Sequence, residues 1–134
     1  MEDRKSFVMK VATGMATAGF MPVTERNSSK TRIKNVFVHH VLFWLKEPEN
    51  QVAGTQFEKG LNDLVAVPLI KSSHIGKPVE SQRDVVDGSF TYSLITFFNS
   101  KEDENAYQTH PMHLKFVEDC QHLWEKVIVY DAMD

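Results

Sequence analysis

The segment AYQTHPMHLKFVEDC, residues 106–120, sets the main constraint on how this chain folds. Its central YQTHPMH places a tyrosine, two histidines and a proline within seven positions of an otherwise helical, apolar pattern. Proline is tolerated in the first turn of a helix but breaks a helix interior. The segment therefore predicts one helix that pauses at Thr109 and a second that restarts with Pro111. Such a break would allow Tyr107 and His113 to face the same space.

The residues around this break predict how both helices are held. Ser100 and Asp103 have the spacing of a capping box, which marks the start of the first helix. The acidic residues of KEDEN, 101–105, are expected at the solvated start of that helix, where negative charge suits the helix dipole. His110 is expected to cap the restarted helix. An apolar stripe at helical spacing should pack this second helix on the core, and it consists of Leu114, Val117, Cys120 and Trp124.

Four further segments have the β-branched and aromatic composition of strands. They are NVFVHHVLFWL (35–45), LIKSSHIGKPV (69–79), FTYSLITFF (90–98) and KVIVYDA (126–132). Between the first two, apolar residues at helical spacing predict a helix over 51–67, which Pro68 ends. The order strand–helix–strand–strand–helix–strand predicts an α+β fold, a ferredoxin-like βαββαβ protomer with an antiparallel four-stranded sheet.

The first strand is apolar on both faces, which predicts that both faces of the sheet are covered. One face carries His39, Val41, Phe43 and Leu45, and the other carries Val38, His40, Leu42 and Trp44. In this arrangement the helices lie on one face of the antiparallel sheet and leave the other face needing cover. We therefore expect a homodimer in which two protomers pack sheet to sheet.

Charge and composition exclude some classes of function. The chain has 134 residues, of which 42% are hydrophobic and 25% charged, and this fits one globular domain. Residues 1–34 carry seven basic and three acidic side chains, a net charge of +4, whereas the remainder carries eight and fifteen, a net charge of −7. So acidic a domain repels a phosphate backbone, and no nucleic acid is expected as a partner. Cys120 is the only cysteine, which excludes an internal disulfide.

Residues 1–34 are expected to form an N-terminal arm or an export signal with a polar linker, and residues 35–134 the folded domain. The sequence DRKSFVMK resembles the bacterial twin-arginine export motif, with Lys5 where the second arginine normally stands. Export to the periplasm is therefore one expectation, and an arm on a cytoplasmic protein is the other. The run from Val11 to Val23 is too short and too mildly apolar to form a transmembrane span.

Three parts of the chain are similar to a known family. HHVLFWLK, TFFNSKED and YQTHPMHLKFVEDC followed by WEKVIVYDA resemble the stress-responsive α/β-barrel (Dabb) domain family, over roughly residues 35–132. The resemblance implies a dimeric α+β barrel of two ferredoxin-like protomers. The family has no single activity. It includes stress-associated plant proteins and a branch with a polyketide cyclase that performs an aldol condensation without a cofactor.

The resemblance to the cyclase branch assigns its catalytic pair to Tyr107 and His113. An aldol or enolisation step needs a base that titrates near neutral pH and a donor for the developing oxyanion, and histidine and tyrosine can supply them. The resemblance also implies that His39 lies nearby, on the strand face that looks into the barrel. Phe43 and Tyr92 are expected to line the pocket, Tyr92 standing where the cyclase has another histidine.

Three functions are compatible with these residues. The first is a homodimer that binds a small apolar or aromatic molecule without turnover, in a role associated with stress. The second is a cofactor-free cyclase or lyase with His113 as base and Tyr107 as hydrogen-bond donor. The third is an exported structural or interaction module. A metal site formed by His39, His74, His110 and His113 is disfavoured, because no carboxylate ligand is obviously placed. Haem is disfavoured because no axial ligand stands out. We therefore expect no metal and no cofactor.

Overall fold

The computed structural model describes residues 30–134, in which Lys34–Asp134 form one compact unit. The export signal expected in residues 1–34 falls, apart from its last five residues, outside this described part. Within residues 30–134, no helix has the length and apolar character needed to cross a membrane. The elements are β1 (Phe37–Leu45), α1 (Gln51–Leu64), β2 (Ser72–Gly76), β3 (Tyr92–Phe98), α2 (Lys101–Gln108), α3 (Pro111–Cys120), a 3₁₀ turn (Gln121–Leu123) and β4 (Trp124–Met133).

The four strands form one sheet in the order β2-β3-β1-β4, and all neighbouring strands are antiparallel. Because β1 is central, each of its residues has partners on two strands. His39 lies opposite Thr96 on β3 and Asp131 on β4. Strand order and helix positions confirm the predicted βαββαβ arrangement of the ferredoxin-like fold.

The predicted break between α2 and α3 is confirmed. The Ser100 hydroxyl accepts a hydrogen bond from the backbone N–H of Asp103 at 3.1 Å, which caps α2. Pro111 opens α3, where its missing N–H costs nothing. His110 caps this second helix as expected, because its Nδ1 accepts from the backbone N–H of Met112 at 3.1 Å.

The apolar stripe predicted for α3 is wrong at two of its four positions. Leu114 is 54% exposed, and Trp124 already belongs to β4. The buried side chains of α3 are Cys120, as predicted, and Phe116, which lies four residues before it and so shares the same face of the helix. Cys120 packs against α1 where Gly60 allows close approach, since a Cβ atom on Gly60 would lie 2.5 Å from the Cys120 Sγ.

The two faces of the sheet differ in burial. On β1 the odd-numbered residues from Phe37 to Leu45 are buried and the even-numbered ones are only partly buried. The buried face packs on the helices: the Phe43 ring contacts Phe57 of α1 and Phe116 of α3. The partly buried face is called the second face below. Its apolar side chains, aligned by strand register, are Val38, Leu42, Trp44, Ile95, Phe97, Ile128 and Tyr130.

Candidate functional site

Tyr107 and His113 meet where α2 ends and α3 begins. Their ring centroids are 4.6 Å apart, with planes inclined at 66°. Tyr107 is only 1% exposed and packs on the β3 side chain of Phe98, at 5.0 Å between ring centroids. The helix break thus brings together the two residues that the sequence indicated as a pair.

His39 lies on the buried face of β1, edge-on to Tyr107 at 6.0 Å between ring centroids. It therefore faces the helices of its own chain, not the second face that is available to another sheet. This corrects the expectation that His39 looks into a barrel between two protomers. The physical reason is the two-residue period of a strand, which groups His39 with the core residues Val41 and Phe43.

Two carboxylates approach the same nitrogen of His39. Its Nδ1 lies 2.7 Å from Asp131 Oδ1 and 3.6 Å from Glu104 Oε2. Glu104 is 6% exposed and accepts a hydrogen bond from the Gln108 side chain one helical turn later. The expectation that the acids of KEDEN are solvated is therefore wrong for Glu104. It lies three residues before Tyr107 and so shares the inward side of α2, a signal that the sequence contained.

His113 is held so that its neutral form is favoured. Burial lowers the pKa of His113 below its usual value and His39 lowers it further, whereas the Gln108 backbone and the Glu104 carboxylate oppose this shift. Its Nδ1 is buried and, within the described part of the chain, has no hydrogen-bond partner. A neutral imidazole with an unpaired nitrogen can accept a hydrogen bond from a ligand or act as a base.

Tyr107 is held in its protonated form, in which it can donate a hydrogen bond, whereas His113 can accept one. Burial raises the pKa of Tyr107 well above its usual value, and the negative charge of Glu104 adds to this effect. The phenol therefore keeps its proton at neutral pH and can donate a hydrogen bond. The ring that carries this donor therefore packs against the ring that carries the unpaired His113 Nδ1.

Phe43 and Tyr92 do not lie beside this pair. They face each other across β1 and β3. Tyr92 precedes Phe98 by six residues, which is roughly 20 Å along an extended strand. The Tyr92 hydroxyl donates to Glu58 Oε2 at 2.5 Å. Burial, and then this hydrogen bond, raise the pKa of Tyr92 well above its usual value. Their separation from Tyr107 follows from strand register, which the sequence alone did not fix.

The surface of the described domain includes two open clefts that avoid the pair. One, of about 620 Å³, lies at the sheet end that includes Trp44, Phe90 and Tyr92. The other, of about 360 Å³, separates α1 from α3. Neither is lined by Tyr107 or His113, whose rings pack directly on each other. A ligand in either cleft could therefore reach the pair only if a ring or the α2–α3 junction moved.

The four histidines considered as metal ligands do not converge. His110 is engaged as the cap of α3, and His74 is exposed on β2. Within residues 30–134, no group of three His, Cys, Asp or Glu side chains is arranged to hold a metal ion.

The strand order and the helix positions define a ferredoxin-like α+β protein, in which Tyr107 and His113 meet at the break between α2 and α3. Residues 37–134 match the Stress responsive A/B Barrel Domain (Dabb), and the chain belongs to this family.

Two relatives extend this assignment. The chain is 26% identical over 100 residues to the stress-response A/B barrel domain-containing protein DABB1 of Arabidopsis thaliana. That match covers 74% of this chain and 47% of the relative, so the chain spans about half of that protein's length. The chain is also 28% identical over 94 residues to olivetolic acid cyclase of Cannabis sativa, and this match covers 69% of the chain and 91% of the cyclase.

Solved structures share the fold. A hydroxynitrile lyase from Passiflora edulis superposes with a TM-score of 0.64 and 22% identity, over 76% of this chain and 95% of the lyase. A dimeric ferredoxin-like protein of unknown function from Thermobifida fusca superposes with a TM-score of 0.62 and 17% identity, over 75% and 92% of the two chains. At these identities the likeness is one of fold.

Proposed function

We propose that this protein binds a small apolar or aromatic molecule through a phenolic or carbonyl oxygen, beside Tyr107 and His113. The observation that carries the proposal is the buried, unpaired Nδ1 of His113. Leaving such an atom without a partner costs about 1–3 kcal/mol, and a ligand hydroxyl would remove that cost. The rings of Tyr107 and Phe98 supply apolar surface at the same place.

The proposal includes a homodimer built through the second face of the sheet. That face carries seven large apolar side chains, which water would otherwise contact. The Thermobifida fusca neighbour, with the same fold, is described as dimeric. An association with stress is part of the proposal and rests on the name of DABB1.

Titration calorimetry with 5-pentylresorcinol tests the binding site. This neutral molecule is the phenolic part of olivetolic acid, the compound named in the cyclase relative. We expect the wild-type protein to bind it and His113→Leu to bind it at least about tenfold more weakly, since the leucine cannot accept its hydrogen bond. His122→Leu, which changes an exposed histidine of the 3₁₀ turn, should leave the affinity unchanged. Equal affinity of the wild-type protein and His113→Leu would refute the proposed site.

A second function is favoured by the pairing of a neutral His113 with a protonated Tyr107. In it, His113 removes a proton from the carbon next to a ligand carbonyl, and the C–H electron pair forms the enolate. The Tyr107 hydroxyl donates a hydrogen bond to the enolate oxygen, where negative charge develops. No cofactor is needed for this step, because the proton returns to carbon from His113.

Exchange of the methyl protons of acetophenone in deuterated water tests this second function. We expect exchange above the buffer rate with the wild-type protein, a loss of roughly tenfold or more with Tyr107→Phe, and loss of the catalysed exchange with His113→Gln. The His122→Leu variant serves again as control. Exchange at the buffer rate with wild-type protein would contradict catalysis of enolisation.

Export is a separate proposal and rests on residues 1–34 alone. The motif-like DRKSFVMK and the small residues Ala16, Ala18 and Gly19 support a cleaved twin-arginine-type signal in a bacterial host. The intact mass of protein recovered from periplasmic and cytoplasmic fractions tests it. Protein of full mass confined to the cytoplasm would contradict export.

A further inference from the structure

Glu104 is a buried carboxylate. Its burial is not explained by the pair of Tyr107 and His113, nor by its position near the start of α2. It is 6% exposed, whereas Glu102 of the same helical turn is exposed. Within residues 30–134, its ion-pair partner is the imidazole of His39 at 3.6 Å, and no lysine or arginine pairs with it. A carboxylate is costly to bury without a cationic partner, and such groups are common at functional sites.

The charges around His39 do not balance. Glu104 and Asp131 both approach its Nδ1, and one imidazole carries at most one positive charge. His113 does not make up the difference, because burial disfavours its charged form. The group of Glu104, His39 and Asp131 therefore carries a net negative charge whichever form His39 takes, if both carboxylates are ionised.

The charge of Glu104 acts on both polar groups of the proposed site. It lies one turn before Tyr107 on α2, with its side chain turned toward the sheet, where it accepts from Gln108 and approaches His39. Its carboxylate raises the pKa of Tyr107 and opposes the lowering of the pKa of His113. A ligand in contact with either ring would be subject to the same field.

We infer that Glu104 makes this site select uncharged phenols or ketones over the corresponding carboxylic acids. The inference rests on the proposed binding function and names the charge class of its ligand. The physical reason is that like charges repel strongly where water is excluded, since no solvent screens them. A phenol hydroxyl can donate to the unpaired His113 Nδ1, and a ketone oxygen can accept from the Tyr107 hydroxyl, without this repulsion. A carboxylate must instead be brought close to the buried Glu104.

Two probes that differ by one carboxyl group test the inference. They are 5-pentylresorcinol and 2,4-dihydroxy-6-pentylbenzoic acid, titrated by calorimetry into the full chain at pH 7. We expect the wild-type protein to bind the neutral probe roughly tenfold more tightly or better. The ratio of the two affinities in the wild-type protein tests the inference by itself, and this measurement does not depend on the folding of any variant.

The variant Glu104→Gln assigns the preference to its residue. The glutamine side chain keeps the shape and an oxygen that accepts from Gln108, but it removes the charge. We expect the preference to shrink to about threefold or less, mainly through tighter binding of the acid. Glu102→Gln makes the same change at an exposed position of the same turn and should keep the wild-type ratio.

Three other results of these titrations would overturn the inference, and each identifies a different error. If the acid binds wild-type protein as tightly as the neutral probe or more tightly, selection is refuted while binding stands. If Glu104→Gln keeps the wild-type ratio, Glu104 is not its source. If neither probe binds, the proposed binding function and the inference fall together.

Discussion

His113 has two unusual properties for a histidine, a buried nitrogen without a partner and a pKa below the usual value. In the unfolded chain this residue binds a proton near its ordinary pKa of about 6.5. As pH falls through that value, the unfolded chain takes up a proton that the folded chain does not, so folding stability decreases. His40 acts in the same direction, since burial and then His39 lower its pKa.

We predict that the free energy of unfolding falls from pH 7 to pH 5, and by less in His113→Leu. The variant removes one of the two histidines that take up the proton on unfolding, so part of the pH dependence should disappear. Urea unfolding at several pH values, followed by circular dichroism, measures this. A pH profile of His113→Leu with the full wild-type slope would show that His113 is not involved.

Glu104 should also change the titration of His113. Its carboxylate favours the imidazolium form, so Glu104→Gln is predicted to lower the pKa of His113 further. Proton–carbon NMR of the histidine rings across a pH series reads this directly. Glu102→Gln is the matched control, and an unmoved or raised His113 midpoint in Glu104→Gln would contradict the prediction.

At the scale of elements, the start of α3 depends on a side chain that rarely serves as a cap. His110 Nδ1 accepts from the Met112 N–H, one of the backbone groups that the first turn leaves unpaired. We predict that His110→Ala lowers stability by about 1 kcal/mol and that His110→Asn, a better cap, recovers most of it. Urea unfolding measures both variants. An alanine variant as stable as wild type would show that the cap contributes nothing.

The contact between α1 and α3 requires a residue without a side chain. A methyl group at Gly60 would lie 2.5 Å from Cys120 Sγ, closer than these atoms can approach. We predict that Gly60→Ala destabilises by about 1–3 kcal/mol through overpacking, although alanine favours helices. Thermal unfolding of a double-mutant cycle with Cys120→Ala checks the cause, because the smaller side chain should relieve part of the loss. If the stability losses of Gly60→Ala and Cys120→Ala were strictly additive, the strain would not lie in the contact between these two residues.

The elements also show what a sequence can predict here. The break before Pro111 and the His110 cap follow from chemistry within a few residues, and both were predicted. Glu104 was missed because acids at a helix start are normally solvated, although its spacing from Tyr107 places it on the inner side. Asp131 was out of reach, because only the register of β1 against β4 brings it to His39.

At the scale of the whole molecule, the second face of the sheet is the surface through which we propose that two protomers assemble. Leu42 lies on the central strand, opposite Ser93 and Ile128, in the middle of that face. We predict that the wild-type protein is dimeric and that Leu42→Glu is monomeric at micromolar concentration, because a charge cannot be buried there unpaired. Sedimentation equilibrium measures the mass. Val52→Glu, at an exposed position of α1, is the control, and a monomeric wild-type protein would contradict the proposed interface.

The hydrogen bond between His39 and Asp131 joins residues 92 positions apart. Closing a chain segment of this length costs conformational entropy, and folds rich in such contacts fold more slowly. During synthesis on the ribosome, His39 leaves the exit tunnel early. It cannot form this hydrogen bond until β4, which carries Asp131, has also left the tunnel. Chains that stop before β4 therefore lack the Asp131 partner of His39.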